Sequence, residues 1–190
     1  MKLYTDNGFT FESKLSETFT YPRYDIVREF GFSERVAFVV DDCAKVVEKF
    51  LWENPKGGVV LFSSQLDLKK WASLTSKLVY VGTREATPEE ANVVRQLDLK
   101  RYPMSSIMQE GLAEIAFALM EVIRGMEKAC VIIDLSVLDP AFVDVGQDVG
   151  GLSTRELLFF IQKIKMIENV KGLGVLGKGP IVQKILTEFY

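Results

Sequence analysis

The stretch CVIIDLSVLDPAF, residues 130–142, carries the residue types in this sequence best suited to chemistry. An apolar run is followed by Asp134, Ser136 and Asp139, as a buried strand would be followed by its polar end. Carboxylate and hydroxyl oxygens are ligands for hard cations such as Mg²⁺, Mn²⁺ or Ca²⁺. The pattern marks this strand end as a candidate metal or catalytic site.

The sequence contains no histidine in its 190 residues. This absence excludes Ser-His-Asp and Cys-His catalysis and removes the usual base at neutral pH. The two cysteines, Cys43 and Cys130, are too few for a disulfide framework. Each lies beside an apolar run, which favours a small buried side chain over a reactive thiol.

Strand-like apolar runs alternate with helical patterns from residue 35 onward. The predicted strands cover residues 35–40, 57–62, 77–84, 128–134 and 170–177, and the predicted helices cover residues 41–54, 87–97, 104–126, 150–167 and 180–189. Residues 65–74 are expected to be helical or to form a turn that leads to a short helix. Such alternation predicts an α/β fold, a three-layer α/β/α sandwich with a mainly parallel sheet. We expect one domain over residues 1–190, with an irregular N-terminal segment at 1–34.

Three helix starts carry N-capping signals. Thr87 precedes Pro88, which suits the first helical position. The pairs Ser153 with Glu156 and Ser106 with Gln109 have the spacing of a capping box.

Polar residues follow the predicted strands at the edge where parallel α/β sheets bind ligands. Four carboxylates could converge there: Asp42, Asp67, Asp134 and Asp139. The favoured alternative is that they diverge and have structural roles, with Asp42 as a helix N-cap and Asp139, before Pro140, as a turn residue. Arg84 could bind an anion at this edge or pair with a neighbouring acid.

The segments VIIDLSVLDPAF and GGLSTRELL resemble the ureohydrolase family, the arginases and agmatinases. Its members carry Asp-x-Asp-x-x-Asp-Pro and then Gly-Gly-Leu-Thr-x-Arg-Glu, and LVYVGTR is similar to the strand that they end in Gly-x-Arg. The resemblance runs from about Arg35 to the C-terminus, in a chain shorter than a typical member. It implies an arginase-like fold and a two-manganese site, whose bridging hydroxide attacks a guanidinium carbon.

The resemblance places ligand positions at three carboxylates and at three neutral side chains. Asp67 and Asp134 match ligand aspartates, and Asp42 stands where the family has a ligand histidine. The degenerate ligand positions are Ser63, Gln65 and Ser136. The acid that binds the substrate guanidinium in family members corresponds to a position near Gly177, where this sequence has no carboxylate.

Two metal ions together carry about four positive charges at roughly 3.5–4 Å separation and need bridging carboxylates. The neutral replacements remove that bridge, so two ions are not expected to bind. One Mn²⁺ or Mg²⁺ held by Asp42, Asp67 and Asp134 is still chemically reasonable. No catalytic residue is assigned, and Arg84 and Asp139 are assigned only to a possible pocket.

Three hypotheses about function follow. The first is a degenerate ureohydrolase-like protein without arginase or agmatinase activity, needing no cofactor and acting as a binding or structural homo-oligomer. The second is a divergent single-metal hydrolase, using Mn or Mg on a C–N bond of a guanidinium or amidine substrate. The third is a sensor that binds a small-molecule ligand, without metal, in the pocket that corresponds to the active site of the resembled family.

Composition limits the partners. The net charge of −3 argues against a nucleic-acid or anionic-membrane surface. No apolar run approaches the roughly 20 residues that span a bilayer. The polar N-terminus MKLYTDNGFTFESK is unlike a signal peptide, so we expect a cytoplasmic location.

Overall fold

The computed structural model describes residues 2–5, 25–26, 31–71, 77–84, 86–142 and 149–190. Within these ranges the strands are β1 (Lys2–Thr5), β2 (Asp25–Ile26), β3 (Val36–Val40), β4 (Gly58–Phe62), β5 (Leu78–Val81), β6 (Lys100–Tyr102), β7 (Ala129–Asp134) and β8 (Val170–Leu176). They form one sheet in the order β2-β1-β3-β8-β7-β4-β5-β6, and each of these neighbouring pairs is parallel. The predicted mainly parallel sheet is confirmed.

Helices cover both faces of this sheet. They are α1 (Ala44–Glu53), α2 (Leu68–Trp71), α3 (Pro88–Gln96), α4 (Met104–Glu110), α5 (Leu112–Arg124), α6 (Thr154–Ile164) and α7 (Pro180–Phe189). Helices α4 to α7 contribute to one hydrophobic core, and α1 and α2 contribute to the other. Alternate residues of β7 enter the two cores, Val131 in one and Ile132 in the other. The predicted three-layer sandwich is therefore confirmed.

Two of the three predicted N-caps are present. Thr87 accepts a hydrogen bond from the Glu90 main-chain N–H, and the Glu90 carboxylate accepts one from Thr87 N–H in return. Ser153 and Glu156 form the same reciprocal pair at the start of α6. These short-range contacts fix where α3 and α6 begin.

The prediction of one continuous helix over residues 104–126 is wrong, because this segment forms two helices. Gly111 has φ +97° and separates α4 from α5. That backbone angle lies outside the right-handed helical region and favours glycine. Helix α4 begins at Met104 after Pro103, so Ser106 lies inside the helix and the predicted Ser106–Gln109 capping box is also wrong.

Three strands were not predicted. Strands β1 and β2 lie within the segment 1–34, so the expectation of irregular structure does not hold for them. The third is β6, in which Lys100 and Arg101 hide any apolar alternation. Residues 65–74 contain the predicted short helix as α2, described over Leu68–Trp71, and residues 72–74 lie outside the described ranges.

Helix α5, with 13 residues, is the longest helix in the part of the chain described above. No helix in that part is both long and apolar enough to cross a lipid bilayer.

Candidate functional site

A pocket of about 240 Å³ lies at the carboxyl ends of β4 and β7. These strands are parallel neighbours, with Phe62 in register with Ile133, so the residues that follow them meet at one edge. The polar and charged residues lining the pocket are Ser63, Ser64, Gln65, Asp67, Lys70, Asp134 and Ser136. Five of the six predicted ligand positions are therefore brought together, and Asp42 is not among the lining residues.

The Lys70 ammonium joins Asp42 to this pocket. Lys70 Nζ lies 2.8 Å from Asp42 Oδ1, and the Lys70 main-chain N–H donates to Asp67 Oδ1 at 3.1 Å. The hydrogen bond from Lys70 lowers the pKa of Asp42, assisted by one from the Ala44 N–H. Burial alone would lower the pKa of Lys70, but its hydrogen bond and attraction to Asp42 raise it above the ordinary value. Both groups are therefore charged at neutral pH.

Sequence reasoning missed Lys70 as a site residue. A lysine on a helix that follows a strand is ordinarily a solvated surface residue. The sequence feature that could have indicated Lys70 is its position three residues after Asp67, because this spacing places the Lys70 main-chain N–H within reach of the Asp67 carboxylate.

Asp134, Ser136 and Ser63 make hydrogen bonds to the main chain of the loops that follow β4 and β7. Asp134 Oδ1 accepts a hydrogen bond from Ser136 N at 2.9 Å and caps the 3-10 turn Leu135–Val137. Ser136 Oγ accepts one from Ser64 N at 3.4 Å, and Ser63 Oγ accepts one from Gln65 N at 3.3 Å. Each of these contacts is one that a structural loop residue makes.

These residues do not fit the two-manganese centre of the resembled family. Among the described residues, no three His, Cys, Asp or Glu side chains are grouped as ligands of a metal ion. The Asp42 carboxylate is paired with Lys70, and that of Asp134 with its own turn. Hydroxyls at 63 and 136 supply no negative charge to bridge two ions. The one-ion site remains a prediction.

Arg84 connects the ends of β5 and β7. Its guanidinium donates to the carbonyl oxygens of Gly82, Val137, Ser136 and Leu138, at 3.1–3.5 Å. It also lines a second pocket, of about 460 Å³, with Ser64, Gln65, Leu66, Asp67, Thr83 and Glu90. Arg84 thus holds the ends of β5 and β7 together and also lines a pocket at the edge of the sheet where these strands end.

Asp139 closes the loop that follows β7. Its carboxylate accepts hydrogen bonds from the main-chain N–H groups of Ala141 at 2.9 Å, Gly150 at 2.7 Å and Gly151 at 3.3 Å. The bonds from Ala141, Gly150 and Gly151, and then the nearby charge of Arg84, lower the pKa of Asp139. The carboxylate thereby fixes the base of the loop, as expected for an Asp before Pro at a strand end.

We expect the Asp139→Asn variant to lose part of the acid sensitivity of the wild-type protein. A carboxyl whose folded pKa is depressed stabilises the fold above its unfolded pKa, and this contribution disappears as pH falls through the folded value. The wild-type melting temperature should therefore drop more between pH 7 and acidic pH than that of the variant. Equal drops, measured by circular dichroism, would contradict this role for Asp139.

Both cysteines are buried thiols, as predicted. Cys43 and Cys130 have no exposed surface. Burial raises the pKa of Cys43 to about 12, and burial also raises the pKa of Cys130. Neither is a thiolate at neutral pH, so neither acts as a nucleophile or a soft metal ligand.

Comparison with known proteins points to one family. A family model described as the arginase family matches residues 56–183. The chain is 29% identical over 109 residues to an arginase of Eremothecium gossypii, a match covering 55% of this chain and 27% of that protein. It is also 29% identical over 115 residues to Arginase-1 of Mus musculus, covering 58% of this chain and 36% of that protein. The matched part thus spans about a third of these curated relatives.

Solved structures share the fold. The formimidoylglutamase of Bacillus subtilis superposes with a TM-score of 0.74 at 17% identity, covering 82% of this chain and 60% of that one. The Entamoeba histolytica arginase, solved in complex with L-ornithine, has a TM-score of 0.70 at 14% identity, covering 84% and 69%. The predicted arginase-like fold is confirmed.

Proposed function

Because this chain belongs to the arginase family, we propose that it is a non-hydrolytic member that works through binding, as a structural or oligomeric protein. The observation that carries the proposal is the donor set of the strand-end pocket. Hydroxyls and an amide, from Ser63, Ser136 and Gln65, line it at positions where the resemblance places ionic or imidazole ligands. Each of the two hydroxyl oxygens accepts a hydrogen bond from a main-chain N–H group, which supports a structural role for both serines.

We expect no hydrolysis of arginine, agmatine or formimidoylglutamate by protein stripped with a chelator and reloaded with Mn²⁺. The physical reason is that neutral ligands cannot hold the paired cations that generate a bridging hydroxide. The assay should follow urea, ammonia and formamide release beside an active arginase as positive control. Turnover that disappears in an Asp134→Asn variant would instead support the single-metal hydrolase.

Self-association is the binding role that the surface of this chain supports. Large apolar side chains are exposed on the single chain, including Trp52 at 81% and Met108 at 79%. Tryptophan and methionine are enriched at interfaces between subunits relative to the rest of the surface. We propose a homo-oligomer, to be checked by light scattering coupled to size exclusion. A measured mass of one 21.4 kDa chain would contradict it.

A small polar ligand is the second candidate function, and Thr83 favours it. The Thr83 side chain lines the pocket of about 460 Å³, and its Oγ1 is buried without a hydrogen-bond partner among the described residues. Since buried hydroxyls are ordinarily satisfied, this one favours a ligand atom as partner. A thermal-shift measurement with L-ornithine and L-arginine tests this role, and Thr83→Val should abolish any shift.

The cytoplasmic location, and the absence of nucleic-acid and membrane partners, rest on composition and stay predictions.

A further inference from the structure

Helices α5 and α6 are neighbours on one side of the sheet, and each presents a stripe of side chains away from the core. On α5, Glu114, Phe117 and Glu121 are spaced i, i+3 and i+7, which places them on one side of the helix. All three are exposed, and the Phe117 ring is 51% exposed. The α5 stripe therefore has an aromatic ring between two acids.

The α6 stripe has the opposite charge. Arg155, Phe159 and Lys163 follow one another at intervals of four residues, so they also lie on one side of their helix. Arg155 is exposed, and Phe159 and Lys163 are half-buried. The α6 stripe therefore has an aromatic ring between two bases.

Lys163 joins the two stripes into one surface, the α5–α6 face. Its Nζ lies 5.3 Å from the centre of the Phe117 ring and 5.3 Å from that of the Phe159 ring, within the range of a cation–π contact. Within the part of the chain that the structure describes, neither Lys163 nor Arg155 nor Glu114 forms an ion pair. The face thus combines aromatic rings with charges of both signs that a partner surface can pair.

We propose that the α5–α6 face docks onto the same face of a second copy of this chain, related by a two-fold axis. The inference rests on the self-association proposed above and names the surface that mediates it. The axis runs between the two helices and along their length, so that α5 of one subunit lies against α6 of its partner and the reverse contact forms at the same time. The acidic stripe then meets a basic stripe twice, with the aromatic rings between them.

A second copy is the favoured occupant because the face is its own complement. A partner surface that carried only acids would repel α5, and one that carried only bases would repel α6. Aromatic residues and arginine are also enriched at interfaces between subunits. Phe117 belongs to neither buried core, so its loss should weaken association and leave the fold of the single chain intact.

The test reverses the charge of one stripe at a time. Variant A is Arg155→Glu/Lys163→Glu, and variant B is Glu114→Lys/Glu121→Lys. In a pair of identical variant chains, both contacts bring like charges together. In a pair of one A chain and one B chain, both contacts again join opposite charges. Circular dichroism establishes that each variant is folded.

Two further variants complete the set. The matched control is Lys45→Glu/Lys49→Glu, which makes the same change in net charge as variant A but lies on α1, which packs on the other side of the sheet. Phe117→Gln removes an aromatic ring from the face without changing any charge.

We expect wild-type protein and the α1 control to have twice the mass of one 21.4 kDa chain in light scattering coupled to size exclusion. Variants A and B, each alone, should dissociate with a constant raised at least about 100-fold and run as single chains. Phe117→Gln should also dissociate. An equimolar mixture of A and B should return to twice the single-chain mass.

Folded variants that keep the wild-type mass would overturn the inference, and so would a mixture of A and B that stays monomeric. A wild-type trimer would do the same, because a two-fold contact joins chains in pairs. These results leave the proposed self-association intact. Monomeric wild-type protein would instead overturn the proposed self-association itself, so the two failures are distinguishable.

Discussion

Replacing Phe160 with alanine should lower the free energy of unfolding by about 3–5 kcal/mol, as expected when a buried aromatic side chain is removed. The Phe160 side chain has no exposed surface, and its ring meets that of Phe62 edge-on, with centroids 5.4 Å apart. This contact fastens α6 to β4, the strand that ends at the candidate site. A loss of this size should lower the melting temperature by roughly 10 °C.

The matched control for Phe160 is Phe117→Ala. The Phe117 ring is 51% exposed, and its polar contact is with Lys163, 5.3 Å from the ring centre. We expect this control to lose less than about 1 kcal/mol. Urea unfolding of both variants measures the difference. Equal losses would show that α6 is not anchored through Phe160.

Gly151→Ala should be the most damaging substitution in the loop that borders the site, costing about 3 kcal/mol by overpacking. A Cβ at 151 would lie 2.5 Å from the Asp139 nitrogen and 2.6 Å from the Leu138 carbonyl carbon, and would also meet Arg84. Backbone atoms cannot rotate away as a side chain can. The substitution should therefore separate Asp139 and Arg84 from the loop that they brace.

The neighbouring glycine supplies the control for Gly151. A Cβ at Gly150 would meet no atom within 4 Å, but φ there is +85°. Gly150→Ala should therefore cost only the left-handed backbone penalty, about 1–2 kcal/mol. Urea unfolding gives the two costs. Hydrogen exchange of the Leu152 amide, which donates to Val137 O at 3.0 Å, should accelerate more in Gly151→Ala. The reverse order would contradict the predicted clash.

The central sheet could be predicted because its strands are apolar on both faces. Strands β3, β4, β5 and β7 are buried at nearly every position, and such runs are readable without knowledge of their partners. Strand β1 is different, since its place is set by pairing with residues more than 30 positions away, such as Lys2 with Val36. Its four residues carry too little pattern to show this.

The candidate site was predictable in location but not in its contacts. The end of each strand is a local property, so Ser63, Asp67 and Asp134 could be placed at one edge of the sheet. The partner of Asp42 could not, because Lys70 reaches it from α2, a helix whose direction depends on packing. Whether a carboxylate near a strand end has a cation beside it is thus decided in three dimensions.

Strand β8 lies between β3 and β7, although it is the last of the eight strands to leave the ribosome. Until residues 170–176 have been synthesised, the described strands can pair as in the final sheet only within two half-sheets, β2-β1-β3 and β7-β4-β5-β6. At that stage β3 and β7 are edge strands of the two half-sheets, and their main-chain groups on the side that β8 later occupies are unpaired. The nascent chain consequently exposes two unpaired strand edges until β8 is inserted, and insertion of β8 is the step that joins the two half-sheets.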